Sequence, residues 1–396
     1  MESTLIVELA RWTLDSMNDL IDVPAGLNGV AVADTRIGTV LGDEGFYHYR
    51  GVDATELART VSFEDVWFLL DRGRLPDADE RSRFVAMIAA ARMVPTVLKP
   101  LVDVVAATAG APLSQLRSVL SASAVCGWTP MLDASPDERR SQAISVAAMV
   151  PAVLAQLHRR GAGLPTVAPD PSLGHAAAYL YEVTGRLPTA EHVRALEQYL
   201  VLTIDHGFNA STFAGRVVAS TGADLADVVC AAIGALAGPL HGGAPSRALD
   251  ALDAIGTPDR AADWVRAEVA AGRRIMGFGH AVYRAPDPRS ALLRQVAERL
   301  GGSLVERAIA IETEILATLA ELKPERPLPS NVEFYAGVIM ETVGLPRSMF
   351  TPTFTVSRAV GWVTHALEQA ASGKLIRPAA RYVGPEPIRQ DDLTPT

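Results

Sequence analysis

What this chain is short of narrows its class before any motif is read. Its 396 residues include only two cysteines, Cys126 and Cys230, both in apolar, alanine-rich surroundings. Two such cysteines make no disulfide framework, so reduced, buried thiols and a cytosolic enzyme are expected. A basic excess is missing too. The net charge is −9, which argues against a general nucleic-acid binder and leaves no basic tail for a membrane surface. No apolar run approaches the ~20 residues of a membrane span, since the longest, Ile144 to Leu157, carries serine, proline and glutamine. The start, MESTLIVELARW, has neither a basic n-region nor an apolar h-region, so it does not read as a secretory signal. HExxH, paired CxxC, the GxSxG elbow and the long dinucleotide fingerprint are all absent. The expectation is a soluble cytoplasmic protein with no cofactor, no metal, no nucleic-acid partner and no membrane association.

What is present is helix. Apolar residues make up 49% and charged residues 20%, enough for a large core and for two domains or one with an insertion. Ser62 and Asp65 form a capping box ahead of Val66, Trp67, Leu69 and Leu70, with Gly73 as the stop. Leu225, Val228, Val229, Ile233 and Leu236 keep the i, i+3, i+4 rule up to Gly238-Pro239. Segments from Ser290, Arg307 and Thr355 read the same way. The clear β signal is TRIGTVL, GDEG, FYHYR, which predicts one N-terminal hairpin. Gly161–Pro171 and Lys323–Ser330 read as proline-rich connectors, and the tail after Val383 as loosely held. The fold class is mostly α.

Of the eight histidines, His48, His158, His175 and His192 sit in polar or loop contexts and suggest no role. His206, in IDHGFNASTFAGR, shares a predicted helix face with Asn209, a polar stripe that suits either a buried hydrogen-bond network or a ligand site. His241, in AGPLHGGAPSRAL, lies at a helix junction where Gly242-Gly243 lets backbone approach closely. His280 follows Gly277-Phe278-Gly279. Downstream, Asp287 reads as N-cap and Pro288 as N1, placing Arg289 in the first turn against the positive end of the helix dipole. A cation there needs an anion, either Asp287 or a substrate carboxylate. Glu333 enters an apolar helical run, as a base of raised pKa or as a first-turn glutamate serving the dipole. Arg358 shares a face with Trp362 and His365.

Together these stretches resemble the citrate synthase family. The resemblance runs from about Gly26 to Pro385, carried by GLNGVAVADTRIGTVLGDEGFYHYRG, DHGFNASTFAGRVVASTGAD, GPLHGGA, GFGHAVYRAPDPR, NVEFYAGV, SRAVGWVTHALEQ and GKLIRPAARYVG in the family's order and spacing. It implies a citrate synthase-like multi-helical fold: a large domain over 1–242 and 346–396, with a small helical domain over 243–345 that closes on the substrates. It also implies condensation of an acyl-CoA with oxaloacetate without a metal, in a homodimer. His280 would polarise the oxaloacetate ketone, while Arg289, Arg358, His206 and Arg377, the last from the partner subunit, would hold its carboxylates. Gly277, Gly279 and Arg284 would meet CoA. His241 would donate to the thioester oxygen as Glu333 removes the methyl proton. The family's usual residue at that position is Asp; the longer Glu displaces the carboxylate by about 1 Å, which can cost roughly 10²-fold in rate. Acetyl-CoA as acyl donor, propionyl-CoA as in 2-methylcitrate synthases, and a non-catalytic binding paralogue are the readings that remain.

Overall fold

The computed structural model describes residues 20–239, 241, 244–280 and 282–386. The start of the chain, Leu240, Gly242-Gly243, Ala281 and the last residues of the polar tail lie outside that set. Three short strands come first: β1 (Gly38–Leu41), β2 (Phe46–Tyr49) and β3 (Val52–Asp53). They form an antiparallel sheet in the order β1-β2-β3, with Gly38 opposite Tyr49 and Leu41 opposite Phe46. The predicted hairpin is therefore present and extended by one strand. Arg50 and Gly51, both at positive φ, turn the chain into it.

The rest is helical. First come α1 (Ala54–Thr60), α2 (Phe63–Arg72), α3 (Ala78–Ala91), α4 (Lys99–Ala106), α5 (Pro112–Ala122) and α6 (Pro136–Gly161). Then follow α7 (His175–Thr184), α8 (Ala190–Thr203), α9 (Ala210–Ala219), α10 (Leu225–Leu236) and α11 (Ala244–Ile255). Last are α12 (Ala261–Ala270), α13 (Pro288–Leu300), α14 (Ser303–Leu322), α15 (Val332–Thr342) and α16 (Phe350–Ser372). Local chemistry starts many of them. Ser62 and Asp65 form the expected capping box, and Gly73 ends α2 in the left-handed conformation. Asp53, Asp77, Thr189, Asn209, Asp224, Asp287 and Asn331 also cap backbone N–H groups.

The core runs along α6 and α16. Among the described residues, helix α6 and the segment Ala78–Ala106 are two stretches long and apolar enough to cross a membrane, more than the run Ile144–Leu157 indicated. Most of α6 is buried inside the protein, so its apolarity serves the core. Helix α16 packs against α6, α8, α9 and α10. The carbonyls that end α8 are capped from outside the helix: Tyr47 Oη donates to Leu202, Tyr49 Oη to Val201 and Asp205, and Arg358 Nε to Thr203. Such orphan carbonyls must find donors somewhere, and β2 and α16 supply them.

Three expectations are overturned. The cysteines are free thiols as expected but are not buried: Cys126, which ends a short 3-10 turn at Gly127, is exposed, and Cys230 is half-buried. His175 is a core residue, stacked on Phe63 at 5.1 Å, and burial drives its pKa down to about 3. His206 lies on no helix. The chain breaks between α8 and α9, and Asn209 serves as the N-cap of the next helix. The chain divides into two compact units, Arg36–Lys374 and a smaller one made of Met1–Thr35 with Leu375–Thr396. Within the smaller unit Asp22 pairs with Arg381 at 2.9 Å.

Candidate active site

Helix ends converge on a cavity of about 270 Å³ lined by His206, His241, His280, Arg289, Glu333 and Arg358, with Leu236, Val332, Ala336 and Phe354 as its apolar wall. Six of the residues picked out from sequence thus meet in one place. They come from the α8–α9 break, the segment before α11, the loop before α13, and helices α13, α15 and α16.

Asp287 organises the charged side. Its Oδ1 accepts from Arg289 N and Nε, both at 3.0 Å, and its Oδ2 accepts from Arg289 Nη2 at 2.9 Å and from Val332 N at 3.1 Å. One carboxylate therefore caps α13, holds Arg289 in a fork and ties in the start of α15, next to Glu333. Of the two anions weighed for Arg289, the structure supplies Asp287, and the guanidinium still lines the cavity. Burial works against the Arg289 charge, but Asp287 more than offsets it and holds its pKa above the ordinary value. Arg358, also buried, donates to the Thr203 carbonyl and lies 4.5 Å over the Phe354 ring. Burial holds its pKa below the usual arginine value, with Asp205 opposing.

The imidazoles are neutral near pH 7. His280 Nδ1 accepts from Val282 N at 2.9 Å and Tyr283 N at 3.0 Å, so its proton sits on Nε2. Arg289 Nη2 also contacts that Nε2 at 3.2 Å; against two backbone donors on Nδ1 this single contact does not move the proton, and the pair presents N–H groups to an anionic oxygen. Burial, then Arg289, pushes His280 down to about 4. His206 Nε2 meets Tyr283 Oη at 3.0 Å, and burial with the two arginines depresses it strongly. His241 Nε2 is held by Ser211 Oγ at 2.9 Å, which also bonds Asn209 Oδ1 and Trp362 Nε1. Burial lowers its pKa as well.

Glu333 stands in the first turn of α15, where the dipole favours the anion, yet burial prevails and lifts its pKa to about 7. Its helix start is stitched to the glycine segment. Asn331 N donates to Gly277 O, Asn331 Nδ2 to Gly279 O, and Gly279 N to Pro329 O. Gly277 and Gly279 hold positive φ, and a Cβ at Gly279 would lie 2.9 Å from Leu328 Cδ2. These glycines are required by the fold as well as available to a ligand.

Gly277 and Gly279 line a second cavity of about 470 Å³, whose wall includes His280 and Glu333 as well as the basic side chains Arg273, Arg274, Lys323 and Arg326. Arg284 lines neither cavity; its side chain is 87% exposed beside Asp43. Arg377 lies in the smaller unit. Sequence reading missed Asp205, buried and 3.2 Å from His365, because nothing local distinguishes it from a loop aspartate. It also missed Tyr283 and the four basic residues. Tyr283, three residues past His280 in the histidine motif, was the one within reach.

Residues 26–379 match the family model described as citrate synthase, C-terminal domain. A Mycobacterium tuberculosis protein named putative citrate synthase 2 is 39% identical over 370 residues, 91% of this chain and 93% of that one. A 2-methylcitrate synthase of the same organism is 36% identical, over 94% of each. The solved ternary complex of Thermoplasma acidophilum citrate synthase with carboxymethyl coenzyme A and oxaloacetate aligns with a TM-score of 0.84 at 28% identity, covering 93% of this chain and 98% of that one.

Proposed function

The chain belongs to the citrate synthase family and condenses an acyl-CoA with oxaloacetate; we propose that its two cavities divide these substrates, with Glu333 on the shared wall as base. Acetyl-CoA, oxaloacetate and water give citrate and free CoA. Arg289, Arg358 and His206 hold the oxaloacetate carboxylates in the first cavity. CoA lies along Gly277–Gly279 in the second, its phosphates met by Arg273, Arg274, Lys323 and Arg326 in place of Arg284. Glu333 takes a methyl proton while His241 hydrogen-bonds the thioester oxygen, stabilising charge that forms only as the enol does. The enol carbon then attacks the ketone carbon, whose oxygen is polarised by His280 Nε2–H. Hydrolysis of the citryl thioester releases CoA.

One observation carries this reading: Glu333 and His280 line both cavities, and the carboxylate titrates near pH 7, as a general base requires. The homodimer, with the partner subunit's Arg377 completing the carboxylate site, belongs to the same proposal. So does closure of residues 243–345 over oxaloacetate, by which oxaloacetate tightens acyl-CoA binding and the reverse by linkage. The test is a free-thiol assay of purified protein with oxaloacetate and acetyl-CoA, with propionyl-CoA alongside. Oxaloacetate-dependent CoA release, faster with acetyl-CoA, is expected. No release with either donor overturns the assignment.

A further inference from the structure

Behind the histidine loop sits a contact that the chemistry above does not use. The β1–β2 turn, Gly42 to Gly45, lies with its backbone against residues 282–286. Gly42 O accepts from Arg284 N at 3.1 Å and from Ala285 N at 3.4 Å. A Cβ at Gly42 would stand 2.3 Å from the Val282 carbonyl oxygen and 3.0 Å from its carbon. A Cβ at Gly45 would stand 3.0 Å from Pro286 O. No side chain fits between the two backbones. Gly42 is not at positive φ, so this contact, and not the turn's own conformation, is what demands glycine there.

The clasped segment is the one that sets His280. Val282 N and Tyr283 N are the two donors that leave Nδ1 bare and put the proton on Nε2, and the Tyr283 hydroxyl holds His206. The same sheet enters the site from behind, with the Tyr47 ring 5.5 Å from His206 and 6.0 Å from the Arg289 guanidinium. We propose that the β1–β2 turn is a positioning clamp: by fixing residues 282–286 it holds His280 in the Nε2–H tautomer that polarises the ketone, with Gly42 as the positioning residue. This rests on the role given to His280 above.

A side chain at Gly42 pushes the loop off the turn. Nδ1 then loses aligned donors, the ring is free to rotate or change tautomer, and the Nε2–H leaves the ketone. Displacement of about 1 Å is enough for a loss of roughly 10²-fold. The groups facing His280 are Arg289 and Asp287 on α13, His206 in the α8–α9 break, Glu333 on α15 and Tyr283 on its own loop. Arg289, its partner Asp287 and Glu333 stay in place, so oxaloacetate still binds, while Tyr283 moves with the loop.

The experiment compares Gly42→Ala with Gly38→Ala. At Gly38 a Cβ would lie 2.3 Å from His48 O, on the sheet's own partner strand, so this change damages the hairpin without touching the loop. With melting temperature recorded for each, Gly42→Ala is expected to lose about 10²-fold in kcat with oxaloacetate KM nearly unchanged. Its pH profile changes on the acid side, because an Nδ1 that no longer faces two backbone N–H donors can take a proton. Gly38→Ala keeps wild-type kcat and pH profile in the folded protein. If Gly42→Ala fails to fold, Gly45→Ala, whose contact with Pro286 O is milder but whose positive φ also strains the turn, must still show the changed pH profile, which turn strain alone does not produce. Wild-type kcat in Gly42→Ala, or equal losses in both variants that follow melting temperature with no change in pH profile, overturns the clamp. His280→Ala separates the two failures: full activity there removes the role of His280 itself, whereas an inactive His280→Ala beside a fully active Gly42→Ala removes only the clamp.

Discussion

The two cavities handle positive charge in opposite ways. In the first, Arg289 and Arg358 are 3% and 2% exposed, and each guanidinium is already bonded to a protein acceptor. In the second, Arg273, Arg274, Lys323 and Arg326 are all exposed, Arg273 paired with Glu268 at the surface. A buried guanidinium cannot reorient, so it reads the shape of a small dicarboxylate. Exposed cations follow a flexible polyphosphate and are screened by salt. Glu333 and His280 lie where the two regimes meet, dry enough to shift their pKa values and open enough to reach both ligands.

That contrast can be broken at its seam. Glu333→Gln keeps shape but removes the proton acceptor, and kcat should fall about 10²–10⁴-fold while calorimetry still finds oxaloacetate bound. Retained oxaloacetate-dependent CoA release would move the base elsewhere. Breaking the buried side comes next. Asp287→Ala leaves Arg289 without its carboxylate and frees Val332 N, costing about 3–5 kcal/mol in urea unfolding; a loss under about 1 kcal/mol would show that Arg289 does not depend on the pair.

The pH dependence sharpens the seam further. Because the Glu333 pKa is raised to about 7, the base is half charged there, and kcat/KM should rise through an acid limb near pH 7. The stability sign is opposite. A carboxyl whose folded pKa exceeds its unfolded value favours the fold at low pH and loses that contribution as pH climbs from the ordinary glutamate range toward 7. Glu333→Gln should therefore melt higher than wild type at pH 8 and no higher at pH 4. The smallest effect belongs to the exposed cavity. Arg274→Ala should raise acyl-CoA KM about two- to fivefold, less at high salt, as expected of one screened contact. Arg284→Ala should leave that KM unchanged, and a larger effect from Arg284 would restore it to the CoA site.

Much of this is legible in the chain because its causes are local. Ser62 with Asp65, Asp287 with Pro288, and the periodicity from Leu225 to Leu236 act within a few residues, so the helices can be read where they form. The glycines at 277 and 279 and Glu333 are visible for the same reason. His206 is easily misread because a period of 3.6 continues on paper through Asp205–Asn209, whereas Asn209 caps a new helix there. The outward course of Arg284 is not legible, because a basic residue in a motif carries no sign of which way it faces.

The sequence by itself determined a mostly α chain, the family it belongs to, and the residue types of the site, since spacing and capping chemistry are properties of neighbours along the chain. Only the tertiary structure decided which groups are charged and which way their protons point. Burial lifts Glu333 and depresses His280, His206 and His241, and it depends on every element packed around them. The tautomer of His280 is set by Val282 N and Tyr283 N, and their loop is held by the distant turn that carries Gly42. Desolvation and backbone contact act through space, so no local pattern records them.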